Sequence, residues 1–474
     1  MLISRKEEKS YLTDTLDDEY SDFIAVYGRR RVGKTFLIRE SFNYDFTFQH
    51  AGIANGSRSQ QLDAFRRSIE ESGGIVKETP KNWMDAFSLL KDLIKSSDRK
   101  KKVIFLDELS WMDTKRSDFM VALENFWNGW ASARKDIVLI VCASATSWII
   151  DNIIHNKGGL YNRLTREIYL RPFNLSECAE FMVAKNVVMN AHELLEGYMI
   201  FGGIPYYWNL IEKSKSLSQN IDDIFFRENA PLRNEYDYLY SSIFSSPGKY
   251  VKVIEILGKN KSGLTRSELV NSLKITSSGN FSRILKELEN CGFIRGYMEF
   301  GKPEKDKKYK LIDNFTIFYF KFLKKRPGDE HFWSNHENMA ARNAWCGLAF
   351  ERVCMEHIPQ IKKSLGITGV LTENFVWQCR SDPDNGIFGS QIDMLLVRKD
   401  QVINLCEIKY STDDYSISKQ TDESLRHKIN DFVNITHTKA AIHLTLITTY
   451  GLVKNMYSGS IQNVITADDL IAKE

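Results

Sequence analysis

Three short apolar runs, Phe23 to Tyr27, Val103 to Leu106 and Ile137 to Ala143, are too short for buried helices and too continuous for half-exposed strands. Between them the apolar spacing becomes helical, as in Phe36-Leu37-Ile38. Buried strands alternating with helices predict an α/β fold with a parallel sheet covered on both faces. From Asn174 to about Tyr240 the pattern is helical. It is broken at Gly202-Gly203-Ile204-Pro205, where the residue types force a turn, and it predicts a helical lid.

The rhythm then changes. Tyr250 to Leu257 predicts an amphipathic helix, Thr265 the cap of a second and Ser277 to Leu288 a third, and Phe293 to Leu311 alternates as a hairpin around Gly301-Lys302-Pro303. Three helices and a two-stranded wing are the order of a winged helix. The polar stretch Lys324 to Asp329, with Pro327 and Gly328, predicts a linker. A helix over Asn343 to His357 follows, then strands over Gly389 to Val397 and Val402 to Tyr410 and a tail of alternating helix and strand. The expected organisation is a first α/β domain at 1–172, a helical lid at 173–243, a winged helix at 244–325 and a second α/β domain at 331–474.

Composition changes this picture little. At 474 residues, 43% hydrophobic and 26% charged, the chain has the make-up of a multidomain globular protein and excludes wholesale disorder. With 64 basic and 61 acidic side chains the net charge is +3, so any nucleic-acid surface has to be local. Seven scattered cysteines without a CxxC pair or paired histidines exclude a zinc site and suit a reducing compartment. The segment Met1 to Ser10 lacks the apolar core of a signal peptide, and Ile137 to Ile150 is too short to span a bilayer; a cytoplasmic protein without membrane partners is expected.

The candidate chemistry begins after the first strand. Gly28-Arg29-Arg30-Arg31-Val32-Gly33-Lys34-Thr35 places a glycine at each end of a loop between strand and helix, so that backbone N–H groups can surround phosphates. Lys34 reaches the terminal phosphates of ATP, and Thr35 offers a hydroxyl to Mg2+. Asp107, at the end of the second apolar run, is placed to hold Mg2+ through water, and Glu108 to take a proton from the attacking water. Ser144 stands where a γ-phosphate sensor would lie, or is an ordinary strand-end serine. Arg163, with Arg166 nearby, is a candidate arginine finger or a surface ion-pair partner.

In the third predicted helix of the winged helix, Asn280, Ser282, Arg283 and Lys286 would face DNA, with Lys302, Lys305, Lys307 and Lys308 in the wing; Glu287, Glu289, Glu299, Glu304 and Asp306 dilute that charge, and an internal packing role competes. In the C-terminal region, Gln391-Ile392-Asp393 is followed by Glu407-Ile408-Lys409, with Glu351 on the preceding helix. Alternation along a strand puts Glu407 and Lys409 on one side, where Asp393 on an adjacent strand can join them. Two carboxylates would hold Mg2+ or Mn2+ against a phosphodiester, and the lysine would orient the water; the bland alternative is a cross-strand ion pair.

On these residues the chain resembles two known groups. The run Gly28 to Thr35, Phe105-Leu106-Asp107-Glu108, Tyr161-Asn162-Arg163, Gly202-Gly203-Ile204-Pro205-Tyr206 and the N-terminal box Ser4-Arg5-Lys6-Glu7-Glu8 resemble the archaeal-type ATPase family, a branch of the AAA+/STAND P-loop proteins. The chain departs at Ala143-Ser144, where that family often has glycine before the serine. The resemblance implies ATP, Mg2+ and switch-like use of the nucleotide, with the arginine and a glutamate of the box approaching the adenine side. Asp393, Glu407, Lys409 and the Phe350-Glu351 pair resemble the PD-(D/E)xK nuclease superfamily, which implies a restriction-endonuclease-like α/β domain at the C-terminus. Two functions stand side by side: an ATPase that couples nucleotide state to DNA binding or cleavage, and a STAND-type switch with a catalytically silent C-terminal module. No sequence feature selects DNA over RNA or fixes an oligomeric state.

Overall fold

The computed structural model describes residues 2–473 apart from 242, 245, 277, 326, 327 and 338, and the side chain of 385 is also outside the described set. Ser277 and Pro327, which figured in the expected third helix and linker, therefore lie outside the described residues. The chain forms two compact units, Met1–Pro172 with Leu239–Pro247, and Phe173–Tyr238 with Gly248–Glu474.

In the first unit β1 (Asp22–Tyr27), β2 (Phe48–Ala51), β3 (Lys102–Asp107), β4 (Ile137–Ala143) and β5 (Arg166–Tyr169) form one sheet in the order β2-β3-β4-β1-β5, every pair parallel. The three expected strands are its middle three. The sheet has five strands rather than three because β2 and β5 are four-residue edges with only one face covered. In β2, Phe48 and His50 are buried and Gln49 and Ala51 exposed, so no continuous apolar run marks it. Helices Arg58–Glu71 and Trp83–Ser96 bring Phe65, Trp83 and Phe87 against Phe48, with the Phe48 and Phe65 rings 5.0 Å apart and Phe65 meeting Trp83 edge-on at 5.5 Å. These aromatic contacts pack the two helices against the β2 edge of the sheet.

The second unit opens with helices Leu175–Ala184 and Ala191–Phe201, each started by a capping box: Asn174 with Glu177, and Asn190 with Glu193. The expected turn follows. Gly203 packs so closely on the chain that a Cβ there would lie 1.7 Å from the Phe173 carbonyl oxygen, and Pro205 is the first residue of helix Pro205–Asn209. The segment expected as a lid is tied into this unit by side chains: Asn314 Nδ2 donates to Tyr198 O at 3.1 Å, and the Leu175 N–H donates to His357 Nε2 at 3.0 Å. His357 Nδ1 meets Val353 O at 2.8 Å, so the ring must be neutral to accept on Nε2. Burial holds its pKa down at about 4, against 6.5 for an ordinary histidine.

Unfolding exposes a histidine that takes up a proton between those values while the folded one refuses it. Stability contributed by neutral His357 is thus full above pH 6.5 and falls as pH drops, by about 2 kcal/mol at pH 5. The melting temperature should drop between pH 7 and pH 5, and by less in His357→Gln, although that variant starts lower; an equal drop in both would remove His357 as the cause.

Helices Pro247–Lys259, Arg266–Leu273 and Gly279–Asn290 follow, with β6 (Leu264–Thr265), β7 (Ile294–Tyr297) and β8 (Lys308–Leu311) in an antiparallel sheet of order β6-β8-β7. Thr265 caps its helix as expected, in a capping box with Glu268. The next helix starts at Gly279 with Ser278 at its N-cap, two residues later than the pattern suggested. The expected hairpin forms, Ile294 to Tyr297 pairing antiparallel with Lys308 to Leu311, but the stretch toward its tip takes a second partner. After β7 the chain leaves β8 and lies along β9 (Thr372–Gln378): Val376 N–H donates to Met298 O at 3.1 Å and Phe300 N–H to Val376 O at 2.9 Å. Phe300 then packs on Phe375 and Phe432, both 5.5 Å away. An edge strand with free donors and acceptors recruits this backbone, which no local pattern encodes.

The last sheet runs β13-β12-β11-β10-β9, with β10 (Gln391–Arg398), β11 (Val402–Lys409), β12 (Ala441–Thr448) and β13 (Asn463–Ile465). β9, β10 and β11 are antiparallel, and β11, β12 and β13 parallel. Helices Ala340–Glu356 and Lys419–Thr436 belong to the same part of the unit. None of the seven cysteines forms a disulfide; six of them are buried and Cys379 is half-buried. No helix of the described residues is long and apolar enough to cross a membrane.

Candidate functional site

The end of β1 runs into the glycine loop. Gly28 has φ 145°, and a Cβ on it would come within 2.3 Å of the Leu170 carbonyl oxygen, so this position admits only glycine. Gly33 has φ 92° and stands at the N-cap of helix Lys34–Ser41. Arg31 also takes positive φ, 68°. Alternating backbone hands of this kind make consecutive N–H groups converge on one point at a helix N-terminus. Val32 is buried beneath the loop and Arg29 is buried beside it, while Arg30 and Arg31 are half-buried. Lys34 is buried to 5% exposure, and its ammonium donates to Gly28 O at 2.9 Å and Arg29 O at 3.0 Å, which aims it across the loop.

β3 lies two strands from β1, with β4 between them, and its last residue closes the site. Thr35 Oγ1 donates to Asp107 Oδ2 at 2.8 Å, and Asp107 Oδ1 accepts the Glu108 N–H at 2.9 Å. Glu108 itself adopts φ 49°, a left-handed conformation unusual for glutamate, which turns its carboxylate away from the strand direction. There Ser144, just past β4, donates to it twice: Oγ to Oε1 at 2.5 Å and N–H to Oε2 at 3.0 Å. Lys34, Thr35, Asp107, Glu108 and Ser144, chosen from three separate stretches of sequence, are thus joined by adjacent parallel strands. The Thr35 hydroxyl and Asp107 carboxylate are hard oxygen donors within hydrogen-bond distance, a set that suits Mg2+.

Two arginines separate in role. Arg166 Nη2 pairs with Asp18 at 2.6 Å and its guanidinium lies over the Tyr11 ring, so it fastens the N-terminal helix to β5. Arg163 is exposed. In the N-terminal box, Arg5 pairs with Glu8 at 3.1 Å and donates to Arg171 O at 2.5 Å.

One positioning residue was not legible. Gln61 is fully buried; its amide nitrogen donates to Ile53 O at 2.7 Å and Trp111 O at 2.9 Å, and its oxygen accepts the Ile53 N–H at 3.0 Å. It clamps the segment after β2 to the one after Glu108. Its only sequence signal is a polar residue beside Leu62 on a helix.

The second unit assembles the other set of predicted residues. β10 carries a register shift between Ile392 and Leu395, a bulge that re-aims Asp393 between them. Glu351, Asp393, Glu407 and Lys409 line one cavity of about 470 Å³, with His427 and Lys428 from helix Lys419–Thr436. Glu407 is buried and held by two ammonium groups, Lys409 at 2.7 Å and Lys428 at 2.6 Å, while Asp393 accepts the Ile408 N–H at 3.1 Å. Burial first, and the neighbouring Asp393 second, push the Glu351 carboxyl up to about 7. Burial and Glu407 raise Asp393 as well. For Lys409 burial acts downward but Glu407 outweighs it, leaving the ammonium raised. Among the described residues no group of three or more His, Cys, Asp or Glu side chains sits as a metal-binding cluster. Lys428 was missed because nothing ties it to the Asp393 and Glu407 motif except the packing of its helix.

The lysines expected in the wing are mostly engaged. Lys302 and Lys308 pair with Glu299 at 2.5 and 3.5 Å and Lys307 with Glu289 at 3.2 Å, whereas Lys305 is exposed. On helix Gly279–Asn290, Asn280, Ser282, Arg283 and Lys286 are exposed as expected.

The comparisons with known proteins bear on the first of these sites. An uncharacterized protein of Methanocaldococcus jannaschii is 27% identical over 368 residues, 77% of this chain and 78% of its own length. An uncharacterized ATP-binding protein of the same organism is 45% identical over 40 residues, 8% of this chain and 68% of its own. Among solved structures, the Walker-type ATPase of Pyrococcus abyssi aligns at TM-score 0.45 and 16% identity over 67% of this chain and 95% of that one. The Aeropyrum pernix ORC2 protein, in ADPNP and ADP complexes, aligns at TM-score 0.41 and 12% identity over 75% and 96%. Residues 2–211, which carry the glycine loop, Asp107, Glu108 and Ser144, match the family described as an ATPase domain predominantly from Archaea, and the match supports ATP binding and ATPase activity for this part of the chain.

Proposed function

We propose that the chain is a Mg2+-dependent ATPase whose nucleotide state governs a second unit acting on DNA phosphodiesters. The observation that carries the first half is the bonded chain from Thr35 through Asp107 to Glu108 and Ser144 at the mouth of the glycine loop. Loop N–H groups and Lys34 bind and orient the triphosphate; Thr35 and Asp107 would hold Mg2+. When bound, that ion neutralises charge on the β- and γ-phosphates. Glu108 accepts the proton of the attacking water, and Ser144 fixes the carboxylate's direction and registers the γ-phosphate through the same contact. Arg163, exposed, is available to this site or to another copy as an arginine finger.

The second half rests on Glu351, Asp393, Glu407 and Lys409 lining one cavity. Asp393 and Glu407 would hold Mg2+ or Mn2+ once Lys409 or Lys428 turns from Glu407 to the substrate phosphate. The exposed face of helix Gly279–Asn290 offers DNA a contact, while the wing is committed to β9. Purified protein with Mg2+ or Mn2+ and ATP should nick supercoiled plasmid, and Glu407→Ala should reduce cleavage by about 10²-fold or more while ATP turnover persists. Cleavage at the parental rate in that variant would place the nuclease elsewhere.

A second reading has its own observation: both Glu407 oxygens are occupied by lysines. A carboxylate neutralised in this way suits a silent interaction module in a STAND-type switch, and absence of cleavage under every metal and nucleotide condition would favour it.

A further inference from the structure

A second cavity of about 270 Å³ in the same unit lies between the β6-β8-β7 sheet and β9 and β10, and it shares Glu351, Gln391 and Asp393 with the cavity just described. Its walls include the aromatic rings of Tyr297, Phe320, Trp345 and Trp377. Lys308 and Lys310, two apart on β8 and therefore on one side of the strand, both face it, as does Arg352. Lys308 is paired with Glu299. For Lys310 no carboxylate lies within 4 Å among the described residues; its ammonium stands 5.5 Å from the Tyr297 ring centroid. Arg352 donates Nη1 to Leu348 O at 3.0 Å, and its buried Nε and Nη2 have no hydrogen-bond partner.

The Lys310 ammonium and the buried Nε and Nη2 of Arg352 lack a hydrogen-bonded acceptor, and inside aromatic walls that also carry Glu299, Glu351 and Asp393 they call for a ligand that has both an anion and a flat ring. The volume is at the small end for ligand sites, enough for one nucleotide and far too little for a duplex. We propose that this cavity binds a single nucleotide of a nucleic-acid strand, its phosphate on Lys310 and Arg352 and its base against the aromatic walls, next to the centre formed by Glu351, Asp393 and Glu407. That the nucleotide belongs to a strand rests on the phosphodiester reading above; that the cavity takes a nucleotide stands on its own geometry. The winged-helix strand β8 thereby supplies a substrate-binding lysine to the C-terminal domain.

The test is binding of deoxycytidine monophosphate to the full-length protein, with the glycine loop saturated by ADP and Mg2+, followed by calorimetry and tryptophan fluorescence. Lys310→Gln is expected to weaken binding by about tenfold or more and Lys310→Arg by about threefold or less, with ATP turnover unchanged in both. Deoxycytidine and inorganic phosphate should each bind more weakly than the nucleotide. Should Lys310→Gln not fold, Lys310→Arg and the order of the three probes still decide. No binding, equal affinity in the parent and Lys310→Gln, or phosphate binding as tightly as the nucleotide would overturn the proposal. Nucleotide binding alongside plasmid cleavage that ignores Glu407→Ala would sink the nuclease reading but leave the cavity. Cleavage that depends on Glu407 without nucleotide binding would do the reverse.

Discussion

Glu108→Gln is expected to lower ATP turnover by about 10² to 10⁴-fold while ATP still binds. Glutamine can accept the Ser144 N–H in the place of Oε2, so the left-handed turn at residue 108 and its link to β4 survive, but the side chain can no longer take a proton from water. Single-turnover hydrolysis beside an equilibrium binding measurement separates the two effects. A variant that turns over at the parental rate would show that Glu108 serves only to hold the end of β3.

Lys34→Ala should act earlier, weakening ATP binding and reducing turnover at subsaturating ATP by about 10² to 10³-fold. The buried ammonium, 2.9 Å from Gly28 O, both shapes the loop and directs a cation across it. Loss of affinity with unchanged melting temperature would place the effect in phosphate binding. A fall in melting temperature comparable to a core substitution would mean that the lysine's contacts with Gly28 and Arg29 hold the loop together, and an unaltered affinity would remove Lys34 from the site.

Lys34 was legible in the sequence because a phosphate loop is a local device. Glycine at positions 28 and 33, lysine and threonine after it, and an apolar run before it lie within a dozen or so residues, and the backbone conformation they require is dictated by those residue types. Asp107 and Glu108 were legible for a related reason: a buried parallel strand is a continuous apolar run, and its end is marked by the first charged residue. The partnership of Glu108 with Ser144 was not. It depends on β3 and β4 being neighbours in register, Leu106 beside Val141, and sequence pattern does not state which strands adjoin.

The same division runs through the second unit. Alternation along β11 was enough to put Glu407 and Lys409 on one side, because side chains of a strand alternate whatever surrounds it. Asp393 needed more, since a bulge between Ile392 and Leu395 sets its direction, and Lys428 reaches Glu407 only through the packing of a helix some twenty positions further on. The hairpin expectation failed over Met298 to Phe300 because the competing partner, the edge of β9, is some seventy-five positions away in the chain.

Sequence alone therefore determined the glycine loop, the acidic end of β3, the helix cap at Thr265, and the alternation that groups Glu407 with Lys409, all features whose energetics are settled within a few residues of backbone. Tertiary structure decided the two edge strands of the first sheet, the clamp of Gln61, the attachment of Met298 to Phe300 to β9, the second lysine on Glu407 and the aromatic cavity around Lys310. Each of these depends on which surfaces meet, and burial and strand pairing between distant segments are properties of the packed chain rather than of any stretch of it.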